Sequence, residues 1–114
     1  MESVQRRRHR YRYEHFCRMT RAGARSDDAI YITGTVGDAA AGLSILQSGL
    51  PAGDDVDYLI RRFARPAARV EVGAAMSCFA HAAIDLSDGL FADLEKLLAA
   101  SGVAGSLEVA DITL

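Results

Sequence analysis

The chain has 114 residues, half of them hydrophobic and a quarter charged, which fits one globular domain and excludes a disordered composition. No apolar run approaches the ~18 residues of a membrane span, and no apolar stretch follows the basic start as a secretory signal would require. The net charge of −2 conceals a split. Residues 1–25 carry eight Arg against Glu2 and Glu14, a balance of +6, and residues 26–114 carry a balance of −8.

The run Arg6-Arg7-Arg8-His9-Arg10-Tyr11-Arg12-Tyr13 has two readings. It is either an arm that grips nucleic acid, Arg on phosphate and Tyr on bases, or a basic leader unrelated to the domain behind it. Twelve of the 13 basic residues are Arg and Lys96 is the one Lys, a bias that GC-rich coding produces. The leader reading is the favoured one, covering residues 1–18. Cys17 and Cys78 have no metal-ligand spacing, and His9, His15 and His81 do not complete one. Two cysteines without a secretory signal imply reduced thiols in the cytoplasm. Cys78 lies in an apolar stretch and reads as a small core residue.

The first element behind the leader is a strand over 29–33, β-branched and aromatic and stopped by Gly34. A tight turn over 34–38 leads to a helix over 39–47, with Asp38 as its N-cap, Gly49 just past its end and Gly42 placed for close packing. A second helix covers 55–64. Val56, Leu59, Ile60 and Phe63 fall on one face, Asp54 and Asp55 favour its start, Arg61, Arg62 and Arg65 favour its end, and Pro66 stops it. A third, Ala-rich helix over 69–80 is expected to pack through Gly73, Ala74 and Ala75. A short buried strand over 82–86, a turn at 87–89, and a fourth helix from Leu90 to Ser101 follow. Asp93 and Lys96 sit on that helix's polar face. Residues 106–109 alternate like a strand. The pattern predicts a layered α/β (α+β) fold with too few strands for a finished sheet.

Three constellations could carry chemistry. In Asp85-Leu86-Ser87-Asp88-Gly89-Leu90, two carboxylates lie three apart where a strand meets a helix. Such a junction collects ligands, the helix start favours phosphate, and carboxylates suit Mg²⁺. Asp85 and Asp88 would hold Mg²⁺ and Ser87 would contact a phosphate. The alternative is structural: Ser87 or Asp88 caps the helix and Asp85 is solvated. The turn Gly34-Thr35-Val36-Gly37-Asp38 lacks both the Walker ending and dinucleotide-loop spacing, and reads first as a structural turn. Arg21, in Thr20-Arg21-Ala22-Gly23-Ala24-Arg25, says little alone.

Together these stretches, with Arg65-Pro66-Ala67-Ala68-Arg69-Val70, resemble the bacterial thiamine-monophosphate kinase family from about Met19 to Leu114. Relatives such as aminoimidazole ribonucleotide synthetase share the general fold. The resemblance implies a partial C-terminal domain of that fold, a mixed sheet with packed helices. It implies transfer of the γ-phosphoryl group of ATP to thiamine monophosphate, giving thiamine diphosphate, with Mg²⁺. By the same resemblance Asp85 and Asp88 match metal ligands, and Arg21 and Ser87 match ATP contacts. Asp27-Asp28 stands where the family has Pro-Gly-Asp. The family's Asp-rich first domain, with its Gly-Asp-Asp signature and most of the homodimer interface, has no counterpart here. Its Ser-Gly-Gly-Glu-Asp segment, which helps bind thiamine monophosphate, would lie beyond Leu114. The expectation is a truncated kinase, inactive by itself, with no membrane partner; the alternatives are a small α/β binding module whose basic arm grips nucleic acid, and another member of the same ATP-binding superfamily.

Overall fold

The computed structural model describes residues 18–49, 51 and 53–112. The arginine-tyrosine run and Cys17 lie outside the described residues. Four α-helices follow one another: α1 (Asp38–Ser48), α2 (Asp54–Ala64), α3 (Val70–Met76) and α4 (Leu90–Ser101), and a short 3₁₀ turn covers Val109–Asp111.

The helix pair α1–α2 is the one helix–helix packing among the described residues. Gly42 makes it possible. A Cβ on Gly42 would lie 2.1 Å from the Leu59 carbonyl oxygen and 3.1 Å from the Phe63 Cβ, so the backbones approach to a distance that only glycine permits. The expected face of α2 does meet α1, but it is only half-buried, and Phe63 is exposed. Asp38 does not cap α1. The cap position is Gly37, without a side-chain bond, and the Asp38 carboxylate instead accepts the Thr35 hydroxyl, the Tyr58 hydroxyl (3.0 Å) and the Arg62 Nε–H (3.2 Å). It fastens the start of α1 to α2, and these donors, the Thr35 hydroxyl first, hold its pKa below the ordinary carboxylate value.

α3 stops at Met76, short of the expected 80. The Ser77 hydroxyl turns back to the Ala74 carbonyl (2.8 Å) and competes with helix continuation. A Cβ on Gly73 would meet no atom of another element within 4 Å among the described residues, so the expected close packing through that glycine is not formed there. Cys78, expected in a core, falls in the turn after the shortened helix and is exposed.

The segments expected as strands, 29–33, 82–86 and 106–109, form no strand among the described residues, and Val109 belongs to the 3₁₀ turn. A strand exists by its ladder to a partner. Here the 20–33 and 80–86 stretches share a backbone bond, Ala83 N–H to Thr20 O at 2.9 Å, but no ladder. α4 ends as expected. Gly102 donates to Ala99 O and Val103 donates to Leu98 O, the paired bonds of a Schellman close.

Candidate functional site

The turn before α4 is held from below by a buried carboxylate. Asp93, one turn into α4, is 1% exposed and the most buried side chain described. One of its oxygens accepts the backbone N–H of Ser87 (2.7 Å) and of Asp88 (2.9 Å), and the other accepts the Lys96 ammonium (2.9 Å). These donors, Lys96 first and then the Asp88 amide, hold its pKa down to about 2. The sequence placed Asp93 on the polar face of α4. The helix carries it there, but the returning turn covers it.

Pinned in this way, the turn presents Asp85, Ser87 and Asp88 to solvent. Neither Ser87 nor Asp88 caps α4: the cap position is Gly89, with no side-chain bond. The structural alternative is realised in part: Gly89 takes a positive φ of 115° at the turn and Asp85 is solvent-exposed, but neither Ser87 nor Asp88 supplies a capping bond. Ser87 Oγ lies 3.5 Å from an Asp88 oxygen, at the long limit of a hydrogen bond. Lys96 bridges Asp88 and Asp93. Its pKa is raised, by Asp88 first and Asp93 second. A cation thus already sits on Asp88.

Among the described residues no three His, Cys, Asp or Glu side chains are grouped to hold a metal by themselves. Asp85 and Asp88 are nonetheless the donor type that Mg²⁺ takes, one or two carboxylates completed by phosphate and water oxygens. The ammonium on Asp88 marks the point where positive charge is favoured. The donor set fits the ion as a partial site.

Arg21 is placed from the other end of α4. Its carbonyl accepts the Ser101 hydroxyl (2.9 Å), whose oxygen in turn accepts the N–H groups of Gly23 (3.2 Å) and Ala24 (3.1 Å). About 12 Å of helix axis separates Ser101 from Asp93. Arg21 is thus tied by its backbone to the C-terminal end of α4. It flanks the 81–86 stretch through the neighbouring Thr20–Ala83 bond, and its exposed side chain extends from there. Of the four expected residues, Ser87 and Asp88 are adjacent in the turn, Asp85 lies two residues before Ser87 in the chain, and Arg21 is tied through its carbonyl to the end of α4. Asp28 accepts the Arg25 N–H and pairs with His81 Nδ1 at 2.8 Å, a structural tie between the same two stretches. Arg69 packs onto the Gly34 turn so closely that a Cβ there would lie 2.6 Å from its Nη2.

Asp93, Lys96 and Ser101 were not singled out from sequence. The available signal was an acid one turn inside α4 with a lysine three residues on, a pattern that more often marks an exposed ion pair.

No protein-family model matches the chain. Similarity to known proteins is nevertheless extensive. The chain is 49% identical over 94 residues to the thiamine-monophosphate kinase of Escherichia coli K12, and 41% identical over 95 residues to that of Bacillus subtilis 168. These matches cover 81% and 80% of the chain and 29% of each relative. Among solved structures, thiamine-monophosphate kinase from Stenotrophomonas maltophilia K279a superposes with a TM-score of 0.66 at 42% identity, and AaThiL complexed with AMPPCP and TMP with 0.70 at 38%. Each covers 74% of this chain and 28% of the solved one. The likeness is to kinases of a small phosphorylated metabolite. More narrowly, the chain is homologous to a part of thiamine-monophosphate kinase, and it spans about 29% of the length of the curated relatives it matches.

Proposed function

We propose that this chain supplies part of the ATP site of an enzyme that phosphorylates thiamine monophosphate to thiamine diphosphate. A terminal phosphate oxygen of thiamine monophosphate attacks the γ-phosphorus of ATP, the bond to the β,γ-bridging oxygen breaks, and ADP leaves. The observation that carries this reading is the turn of Asp85, Ser87 and Asp88, solvent-facing, uncommitted to capping and pinned by buried Asp93. The solved relative that holds AMPPCP, an ATP analogue, together with TMP supports it from outside.

Phosphoryl transfer asks the protein mainly for alignment and charge neutralisation. Asp85 and Asp88 would hold Mg²⁺, which supplies that neutralisation when bound. Ser87, at the start of α4, would donate its hydroxyl to a phosphate oxygen. Arg21 would engage the nucleotide with its planar fork of donors. The family resemblance is also the support for a cytoplasmic homodimer, and for reading 29–33 and 82–86 as strands of a mixed sheet.

The test is a graft. Residues 19–112 replace the matching segment of the E. coli enzyme, and thiamine diphosphate formation from ATP and thiamine monophosphate is measured. Turnover comparable to the parent enzyme is expected. A folded chimera that binds both substrates and forms no product would overturn the reading.

A further inference from the structure

Lys96 is the single lysine of the chain, and it is spent on the turn that carries the candidate cation ligands. Its ammonium touches Asp88, whose side chain is 62% exposed, and at 2.9 Å Asp93, whose side chain is 2% exposed. The two partners are unlike. Asp93 is fixed by two backbone N–H donors and cannot move without unmaking the turn. Asp88 has no such anchor on its carboxylate and faces solvent. Lys96 is itself 42% exposed, so its stem has room to swing about α4 while the ammonium stays on Asp93.

We propose that Lys96 is the resident cation of this turn: a divalent cation gains Asp88 only by displacing the ammonium, which Asp93 then retains. The inference rests on the reading of Asp88 as a metal ligand. Lys96 acts as a positioning residue. Without a cation it holds the Asp88 carboxylate in place and neutralises it. With a cation it stands one ligand away as a second positive charge. Its presence weakens cation binding, and a ligand that brings negative charge, such as a nucleoside triphosphate, offsets that loss without being required for binding. An exposed ion pair of this kind weakens a competing cation by about two- to five-fold.

The experiment is a Mg²⁺ titration, without nucleotide, of the ¹⁵N-labelled 114-residue chain, following the Ser87 and Asp88 amides and the Lys96 side-chain signal by NMR. The variants are Lys96→Gln, Lys96→Arg and Asp88→Asn. In the parent chain the Lys96 signal is expected to move together with the two amides. Lys96→Gln should lower the apparent Kd about two- to five-fold, Lys96→Arg should bind no tighter than the parent, and Asp88→Asn should lose the saturable shift. If Lys96→Gln binds no tighter while Asp88→Asn still abolishes binding, the displacement is wrong and the metal reading of Asp88 stands. If Asp88→Asn binds like the parent, or no variant gives a saturable shift, the metal reading falls and the inference falls with it.

Discussion

Asp93 and Asp88 exchange the roles that their positions suggest. Asp88, beside a helix start, has the place of a cap and makes no capping bond, and Asp93, on the nominally polar face of α4, is the buried group that orders the turn. The motif Asp85-x-x-Asp88 was legible because its residue types and its junction with a helix are local properties. The burial of Asp93 was not, because it follows from how Ser87 and Asp88 fold back over it, which spacing does not encode. Asp93→Ala should raise hydrogen-exchange rates at the Ser87 and Asp88 amides by roughly tenfold or more, since each loses a charged acceptor, while α1 and α2 amides keep theirs. Equal protection in the variant would show that Asp93 does not set the turn. Asp38 gives a pH dependence whose sign is fixed. Its pKa is depressed by Thr35, Tyr58 and Arg62, so its contribution to stability is present above the ordinary carboxylate value of about 3.9 and is lost as pH falls through the lower, folded value. An acid titration followed by helical circular dichroism should show this loss in the parent chain and a flatter profile in Asp38→Asn.

The helices were largely legible and the strands were not. α2 and α4 declare themselves by apolar periodicity, by acids at the start of α2 with basic residues at its end, and by Gly102 after Ser101, all read within a dozen residues. A strand is completed by a partner elsewhere, so the β-branched run at 29–33 expresses a propensity that the described residues do not pair. The helix over 69–80 was overextended for a related reason: alanine content favours helix, and the Ser77 bond back to Ala74 ends it locally. Gly42 is the clearest success, a glycine inside a helix read as a packing site and found against the Leu59 carbonyl. Gly42→Ala should force α1 from α2 and cost about 1–3 kcal/mol, read as a lower urea midpoint. A midpoint equal to that of the parent would mean that the two helices do not approach closely in solution.

Across the described chain Leu90 is the one large hydrophobic side chain that is buried, and Phe79, Phe91, Tyr31 and Val109 are mostly exposed. The basic-to-acidic change near residue 25 falls close to Met19, where the resemblance to the kinase family begins, with Arg21 and Arg25 inside the resembling stretch. The exposed apolar surface should make the 114-residue chain bind the dye ANS, with less binding in Phe91→Asp, since Phe91 is 66% exposed; an unchanged signal in that variant would place the dye elsewhere. The likeness to thiamine-monophosphate kinase extends over most of this chain but under a third of the relatives, and function is therefore tested in the intact setting that such a segment requires. The direct measurement is steady-state kinetics of the E. coli enzyme carrying residues 19–112, with Asp88→Asn and Arg21→Ala introduced separately. Asp88→Asn should lower kcat roughly 100-fold and shift the Mg²⁺ dependence to higher concentration, and Arg21→Ala should act mainly on the KM for ATP. Unchanged kcat and unchanged Mg²⁺ dependence in Asp88→Asn would contradict the assignment of the Asp85–Asp88 turn to phosphoryl transfer.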